Sequence, residues 1–451
     1  MDEFLLSLIP HGNHPLPGLI VQAKRWIVEA FRTCDLSERK ALRAIDIPRH
    51  AKAKGGESDE DQKEGQAERV GQTPGGEVLG HDEVRGFWQA MLQLKEVKES
   101  IIAGSAIQTF DFFIQWHLTE RCNLRSLHCY QDRKRPPEMA AGDVMSEIDG
   151  AARMFEAWES EQDIRVTPSI HFTGGEPLLY RGFWDVVRHA RLSGCRVAVM
   201  TNGCLVTDED AGRFRDLGVF EIQVSLEGPP ALHDSIRGEG SFRAALKGTE
   251  RLAKAENRVS ANVTLSRINA PSIDETVKIA RDAGFNSIGF SRLVPCGSGG
   301  SMIESVLSPG EVRAAYEKVL SLSGPDFAVV SGDPLAGTLR NDAPPADCGL
   351  TLSGCSAGFS GVTIASDGAV MPCRRIGISV GNLKRKSLRD IWATSRTLWR
   401  LRDRGSYKGE CGRCVFWPSC RGCRAVAYAW SRTRGRADLF ADDPQCWRIG
   451  S

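Results

Sequence analysis

Phe112-Phe-Ile-Gln-Trp-His-Leu-Thr-Glu-Arg-Cys122-Asn-Leu-Arg-Ser126-Leu-His-Cys129-Tyr130 joins an apolar, β-prone run to a polar loop that carries two cysteines. The run predicts a buried strand over 112–118. Beyond it, further strand-like segments at 170–173, 196–201, 220–226, 258–265 and 287–293 alternate with helical patterns at about 143–158, 182–193, 208–217, 241–255 and 272–284. Six strands with intervening helices imply βα units around a parallel sheet, with ligands gathered at the C-terminal ends of the strands.

A second group of cysteines, Cys348, Cys355, Cys373, Cys411, Cys414, Cys420, Cys423 and Cys446, crowds the last quarter of the chain. Eight thiolates suffice for two four-iron clusters, whereas one zinc would leave four without a role. Disulfides are the alternative for a chain with 14 cysteines. Met1 to Ile9 lacks the features of a signal peptide, and no segment approaches the length of a membrane span, so a reduced cytoplasmic setting is expected. Lys+Arg 58 against Asp+Glu 57 leaves no basic excess, and neither a nucleic acid nor a membrane is expected as a partner.

Four of the five later strands also end in a polar motif. The second runs into Thr173-Gly174-Gly175-Glu176-Pro177, and the third into Thr201-Asn202-Gly203. The fourth ends Val224-Ser225-Leu226-Glu227-Gly228, followed by His233-Asp-Ser-Ile-Arg237-Gly238. The sixth runs into Arg292-Leu293-Val-Pro-Cys296-Gly297. In this order the set resembles the radical S-adenosylmethionine (radical SAM) superfamily, whose signature places three cysteines, spaced by three and two residues, after the first strand of a partial (βα)6 barrel. Here Ser126 stands at the middle position, and a neutral hydroxyl is a poor replacement for a thiolate on iron.

The resemblance implies that Cys122, Ser126 and Cys129 hold a 4Fe-4S cluster that binds S-adenosylmethionine. It also implies that Tyr130, Gly174, Gly175, Glu176, Asn202, Ser225, Arg237 and Leu293 border that cofactor. Glu176 would receive the methionine ammonium, and Ser225 with Arg237 its carboxylate. Ser126 itself has three readings: a replacement for cysteine, a position that stands for selenocysteine as in the selenobiotic family of peptide maturases, or a natural cluster-poor variant.

The C-terminal spacing, Cys355-x12-Gly368-x4-Cys373 and then Cys411-x2-Cys414-x5-Cys420-x2-Cys423, resembles the SPASM domain, although its last gap is usually three residues. A zinc ribbon would need a central gap of roughly 15–20 residues. By analogy, Cys348, Cys355, Cys373 and Cys423 would hold one auxiliary 4Fe-4S cluster, and Cys411, Cys414, Cys420 and Cys446 the other. Cys34, Cys195 and Cys204 read as small apolar residues, Cys296 somewhat less so, and His117 and His128 as packing or hydrogen-bonding residues. Trp392, Trp399 and Trp430 read as core.

The expected organisation is α/β. Residues 1–105 form a helical extension with a disordered linker at about 50–80, 106–325 the barrel, and 326–451 a linker with the SPASM domain. The resemblance implies an enzyme that modifies a ribosomally made precursor peptide or protein by 5′-deoxyadenosyl-radical hydrogen abstraction, reduced by a partner such as flavodoxin or ferredoxin. The alternatives are tetrapyrrole or quinone-cofactor biosynthesis, and a non-catalytic scaffold.

Overall fold

A computed structural model describes residues 109–132, 136–162, 165–340 and 354–449. The expected N-terminal helices, the linker, Cys34 and the candidate ligand Cys348 lie outside the described residues. The remainder of 110–155 and of 166–449 belongs to one compact unit.

Alternating strands and helices follow the expected order: β1 (Thr109–Thr119), α1 (Ala141–Gln162), β2 (Arg165–Gly174), α2 (Phe183–Leu192), β3 (Arg196–Thr201), α3 (Asp208–Asp216) and β4 (Glu221–Ser225). Two helices, α4 (Pro230–Arg237) and α5 (Ser241–Lys254), precede β5 (Val259–Leu265), α6 (Ile273–Asp282), β6 (Ser287–Arg292) and α7 (Pro309–Ser321). The strands from β2 to β6 are parallel, as crossover helices require. Helix starts are locally encoded: Thr207 with Asp210, and Ser308 with Glu311, form capping boxes.

The structure adds to the expectation in three places, one of them helix α7, since no helix was expected beyond 284 in the barrel. Pro230–Arg237 is helical, with proline at its first position, which brings His233 and Arg237 onto one face. The sheet is also longer, with the order β10-β9-β8-β1-β2-β3-β4-β5-β6-β7. Here β7 is Ala328–Val330, α8 is Pro334–Arg340, and β8 (Gly361–Ile364), β9 (Ala369–Met371) and β10 (Gly381–Asn382) come from the cysteine-rich region. Strand β8 pairs parallel with β1. These strands are two to four residues long, too short for a period-2 signal. Helices α9 (Leu388–Thr394), α10 (Arg396–Arg402), α11 (Gly409–Arg413) and α12 (Arg424–Thr433) complete the described chain. No described helix is long and apolar enough to cross a membrane.

Strand alternation sorts the side chains into two faces. Phe112, Ile114, Trp116 and Leu118 of β1, and Ile222 and Val224 of β4, are buried. On the other face, register places His171 beside Ala198 and Glu221, Met200 beside Gln223 and Ser260, Ser225 beside Asn262 and Gly289, and Thr264 beside Ser291. The sheet thus presents stacked rows that are mostly polar. A cavity of about 350 Å³ opens over the lowest rows, walled by His171, Arg196, Ala198 and Glu221 among others.

Arg292, the last residue of β6, ties the barrel to the C-terminal region. Its Nε and Nη2 donate to Asp333 at 2.8 and 3.0 Å, while Nη1 and Nη2 donate to Asp443 at 3.0 and 2.8 Å. All three side chains are at most 4% exposed. Asp443 in turn accepts from the Cys423 backbone N–H at 2.8 Å.

Candidate functional site

The loop that leaves β1 is seated on the end of β2 by backbone bonds. Gly175 N donates to Thr119 O at 2.7 Å, and Glu176 N to Arg121 O at 2.8 Å. Glycine is required there: a Cβ on Gly175 would lie 2.1 Å from Arg121 O, and one on Gly174 (φ +144°) 2.2 Å from Thr119 O. Arg121 is held in turn by Glu138, at 2.9 and 3.1 Å.

Glu176 is fully buried. Its Oε1 accepts from Thr201 Oγ1 at 2.8 Å and Leu178 N at 3.4 Å, and its Oε2 from Asn202 N at 2.9 Å. Burial nevertheless pushes its carboxyl up to about 7. Asn202 also reaches the cysteine loop, donating through Nδ2 to Asn123 Oδ1 at 2.8 Å, with Cys122 Sγ at 3.9 Å. Three strand ends thereby converge beside Cys122.

Cys122 and Cys129 interact electrostatically, and Cys129 N donates to the Ser126 carbonyl at 3.3 Å. The loop's far side is fixed twice. Leu127 N donates to Ile236 O of α4 at 2.9 Å, and Gly299 N to Cys129 O at 2.9 Å. Tyr130 places its hydroxyl 3.4 Å from His117 Nε2 and 3.5 Å from Gly174 O.

Arg237 lies in this site, bound to Glu227: Nε and Nη2 donate to its Oε1 at 3.0 and 2.6 Å. His128 approaches the same oxygen at 3.2 Å, and Thr264 N donates to Oε2 at 2.9 Å. Burial opposes ionisation of Glu227, yet His128, Arg237 and these bonds hold it down at about 2. A guanidinium carries five N–H donors, so Arg237 keeps donors beyond those that Glu227 engages. Ser225 is half-buried at the end of β4. Leu293 packs its side chain against Met302 and Val306 and is 1% exposed, so only its backbone can border a ligand.

All described cysteines are free thiols. Cys355 interacts electrostatically with both Cys373 and Cys423, while Cys446 interacts with Cys414 and Cys420. Cys355 N donates to Cys420 O at 3.1 Å, and a Cβ on Gly354 would meet the Ser419 and Cys420 carbonyls at 2.7 Å. Between Cys420 and Cys423, Arg421 (φ 64°) and Gly422 (φ 60°) are both left-handed, which tightens the two-residue gap. Arg421 is held there by the carbonyls of Cys355 and Pro418, at 2.9 and 2.8 Å.

Donors aimed at sulfur fit a cluster, whose potential responds to such bonds. Gly422 N donates to Cys420 Sγ at 3.3 Å, and Arg424 Nη2 to Cys411 Sγ at 3.6 Å. Burial pushes the thiols of Cys411 and Cys423 up to about 11 and about 12. A bound metal supplies the positive charge that ionises such thiols. Among the described residues, no three His, Cys, Asp or Glu side chains form a site for a single metal ion.

Cys195 is buried, and Cys204 Sγ contacts the carbonyls of Asn202 and Ser241 at 3.7 and 3.8 Å. Cys296 interacts electrostatically with both Cys373 and Cys129. The sequence reading left four contributors without a role: Glu227, Gly299, Arg374 and Arg375. Glu227 stood inside a quoted motif, and the two arginines directly follow Cys373.

The model of the radical SAM superfamily matches residues 116–280, and that of the SPASM iron-sulfur cluster-binding domain matches 355–415. The chain is 29% identical to the AdoMet-dependent heme synthase of Methanosarcina barkeri, over 74% of this chain and 95% of that protein. It is 28% identical to the mycofactocin maturase MftC of Mycolicibacterium smegmatis, over 74% of this chain and 82% of that one. In fold it is similar to Streptococcus suis SuiB bound to S-adenosylmethionine, with a TM-score of 0.61 at 15% identity, covering 82% of this chain and 84% of that one.

Proposed function

For a chain that belongs to the radical SAM superfamily and carries a SPASM domain, we propose that the reaction is the modification of a ribosomally made peptide. The protein is an enzyme whose cofactors are 4Fe-4S clusters and S-adenosylmethionine. When bound, they supply a 5′-deoxyadenosyl radical that takes a hydrogen atom from the substrate.

The observation that carries the peptide reading is the polar barrel face. Gln223, Asn262, Thr264 and Ser291 line it in register, offering amide and hydroxyl partners to a peptide backbone. Similarity to a mycofactocin maturase supports the same reading. The heme synthase match favours a tetrapyrrole as the second reading.

In this proposal Cys122, residue 126 and Cys129 hold the cofactor-binding cluster, with position 126 standing for cysteine or selenocysteine. Glu176 and Asn202 orient the methionine end, Tyr130 borders the adenine, and Ser225 and Arg237 bind the carboxylate. The C-terminal thiols, Cys348 included, hold two auxiliary clusters, and a flavodoxin or ferredoxin delivers electrons. Residues 106–325 would then be the barrel, and 326–451 the auxiliary-cluster region.

The test is incubation of the anaerobically reconstituted Ser126→Cys protein with S-adenosylmethionine, reductant and a synthetic peptide taken from any short reading frame that neighbours its gene. A change in peptide mass that scales with 5′-deoxyadenosine is the expected result. Conversion of an iron porphyrin instead, with the peptide unchanged, overturns the peptide reading.

Glu176 carries a pH signature. Its carboxyl, lifted to about 7 by burial, loses its charge as pH falls through that value, whereas a neighbouring ammonium favours the ionised form. Affinity for S-adenosylmethionine is therefore expected to fall by about tenfold per pH unit below 7. Glu176→Gln should bind about ten- to hundredfold more weakly at pH 7.5 and lose that slope. Calorimetric titrations across this range check it, and an unchanged slope in Glu176→Gln contradicts the assignment.

A further inference from the structure

We infer that Arg374 and Arg375 form a recognition site for a carboxylate carried by the substrate; the inference rests on the barrel face being the substrate chamber, as proposed above. Both side chains leave the cysteine-rich region directly after Cys373 and reach the barrel strands. Arg374 Nη1 lies 3.6 Å from Met200 Sδ on β3, with its guanidinium 5.2 Å from the Tyr130 ring centre. Arg375 Nη2 donates to Ser291 Oγ on β6 at 3.2 Å.

Neither arginine forms an ion pair with any described residue. A thioether is a weak acceptor, and one serine hydroxyl engages one of five N–H groups, so most of both forks is unused. Arg292 is enclosed by two carboxylates and Arg237 is bound by Glu227, while the buried Arg402, Arg421 and Arg424 donate to backbone carbonyls. Arg374 and Arg375, both partly exposed, have neither a carboxylate nor a carbonyl among the described residues. The two guanidiniums also repel each other, and no carboxylate is among the leading charges acting on Arg374. Adjacent like charges repel unless an anion or water offsets them, and both side chains are partly exposed, so an incoming anion can reach them.

The place of this charge is specific. Arg374 acts electrostatically on His171, which walls the cavity over the lower rows, and on Cys296, which also meets Cys129. A substrate on the polar face therefore encounters an unsatisfied double fork between that cavity and the first cysteine loop. Planar bidentate donors match a carboxylate. The class of group recognised is an acidic side chain or chain-terminal carboxylate of a peptide; the propionate of a tetrapyrrole offers the same chemistry.

Calorimetric titration of the reconstituted Ser126→Cys holoenzyme separates these sources with two probe pairs. One is N-acetyl-Gly-Glu-amide against N-acetyl-Gly-Gln-amide, and the other is coproporphyrin III against its tetramethyl ester. An acid form is expected to bind about ten- to hundredfold more tightly than its neutral partner. Arg374→Gln/Arg375→Gln should erase that preference with iron content unchanged, and Arg374→Lys/Arg375→Lys should keep part of it. Preference in the peptide pair supports both this site and the peptide reading. Preference in the porphyrin pair alone keeps the carboxylate site and overturns the peptide reading. No preference in either pair, or a preference that survives Arg374→Gln/Arg375→Gln, overturns the site. Loss of iron in both double variants also overturns it, assigning the guanidiniums to the auxiliary cluster beside Cys373.

Discussion

Ser126→Cys, reconstituted anaerobically and reduced, is expected to form 5′-deoxyadenosine from S-adenosylmethionine about a hundredfold or more faster than the Ser126 protein, even without a peptide. Losing an outer-shell partner of a metal ligand already costs roughly 10–100-fold, and a ligand atom counts for more. Everything else the first loop needs is present. Gly174 and Gly175 seat it, Asn202 and Asn123 brace Cys122, and His128 with Glu227 and Arg237 anchors the Cys129 side. On the proposed ligand set only the atom at residue 126 departs from a thiolate, and a neutral hydroxyl binds iron poorly. Product measured by chromatography decides the matter. Equal rates would mean that residue 126 is not a ligand or that serine suffices, and no product in either form would favour a scaffold.

The second large effect is structural. Arg292→Leu should destabilise the protein by about 3–5 kcal/mol, because it leaves two buried carboxylates without their cation. The loss should appear as a lower apparent midpoint in urea. Arg292→Lys should recover little, since a single ammonium cannot serve Asp333 and Asp443 through two forks. Adding Asp333→Asn and Asp443→Asn to Arg292→Leu should recover part of the stability by removing the stranded charges. Asp443 also accepts from Cys423 N, so Arg292→Leu should loosen the C-terminal thiol region as well. A shift below about 1 kcal/mol, the range of an exposed pair, would contradict this account.

Long elements were legible in the sequence because their periods are unambiguous. Strand β3 matches the expected 196–201, the other expected barrel elements agree within five residues at either end, and α4 and α7 were not anticipated. The short strands β7 to β10 were not, since two to four residues carry no period and β8 is stabilised by pairing with β1, far away in sequence. At the site, glycine spacing and cysteine count disclosed the turn at Gly174–Gly175 and the C-terminal thiols. The role of Glu227 as a shared anchor for His128 and Arg237 was hidden, because 99 residues separate it from His128 in a chain that only the fold brings together. Arg374 and Arg375 were invisible for a related reason. A pair of arginines usually reads as solvated surface, and only the sheet rows show what they face and what they lack.

The most direct measurement for the central claim is iron and acid-labile sulfide per chain, in the Ser126 protein and in Ser126→Cys, after anaerobic reconstitution. About eight irons and eight sulfides are expected in the first, for two auxiliary clusters, and about twelve of each in the second. Zinc in place of iron, or about four irons in both, would contradict the three-cluster enzyme.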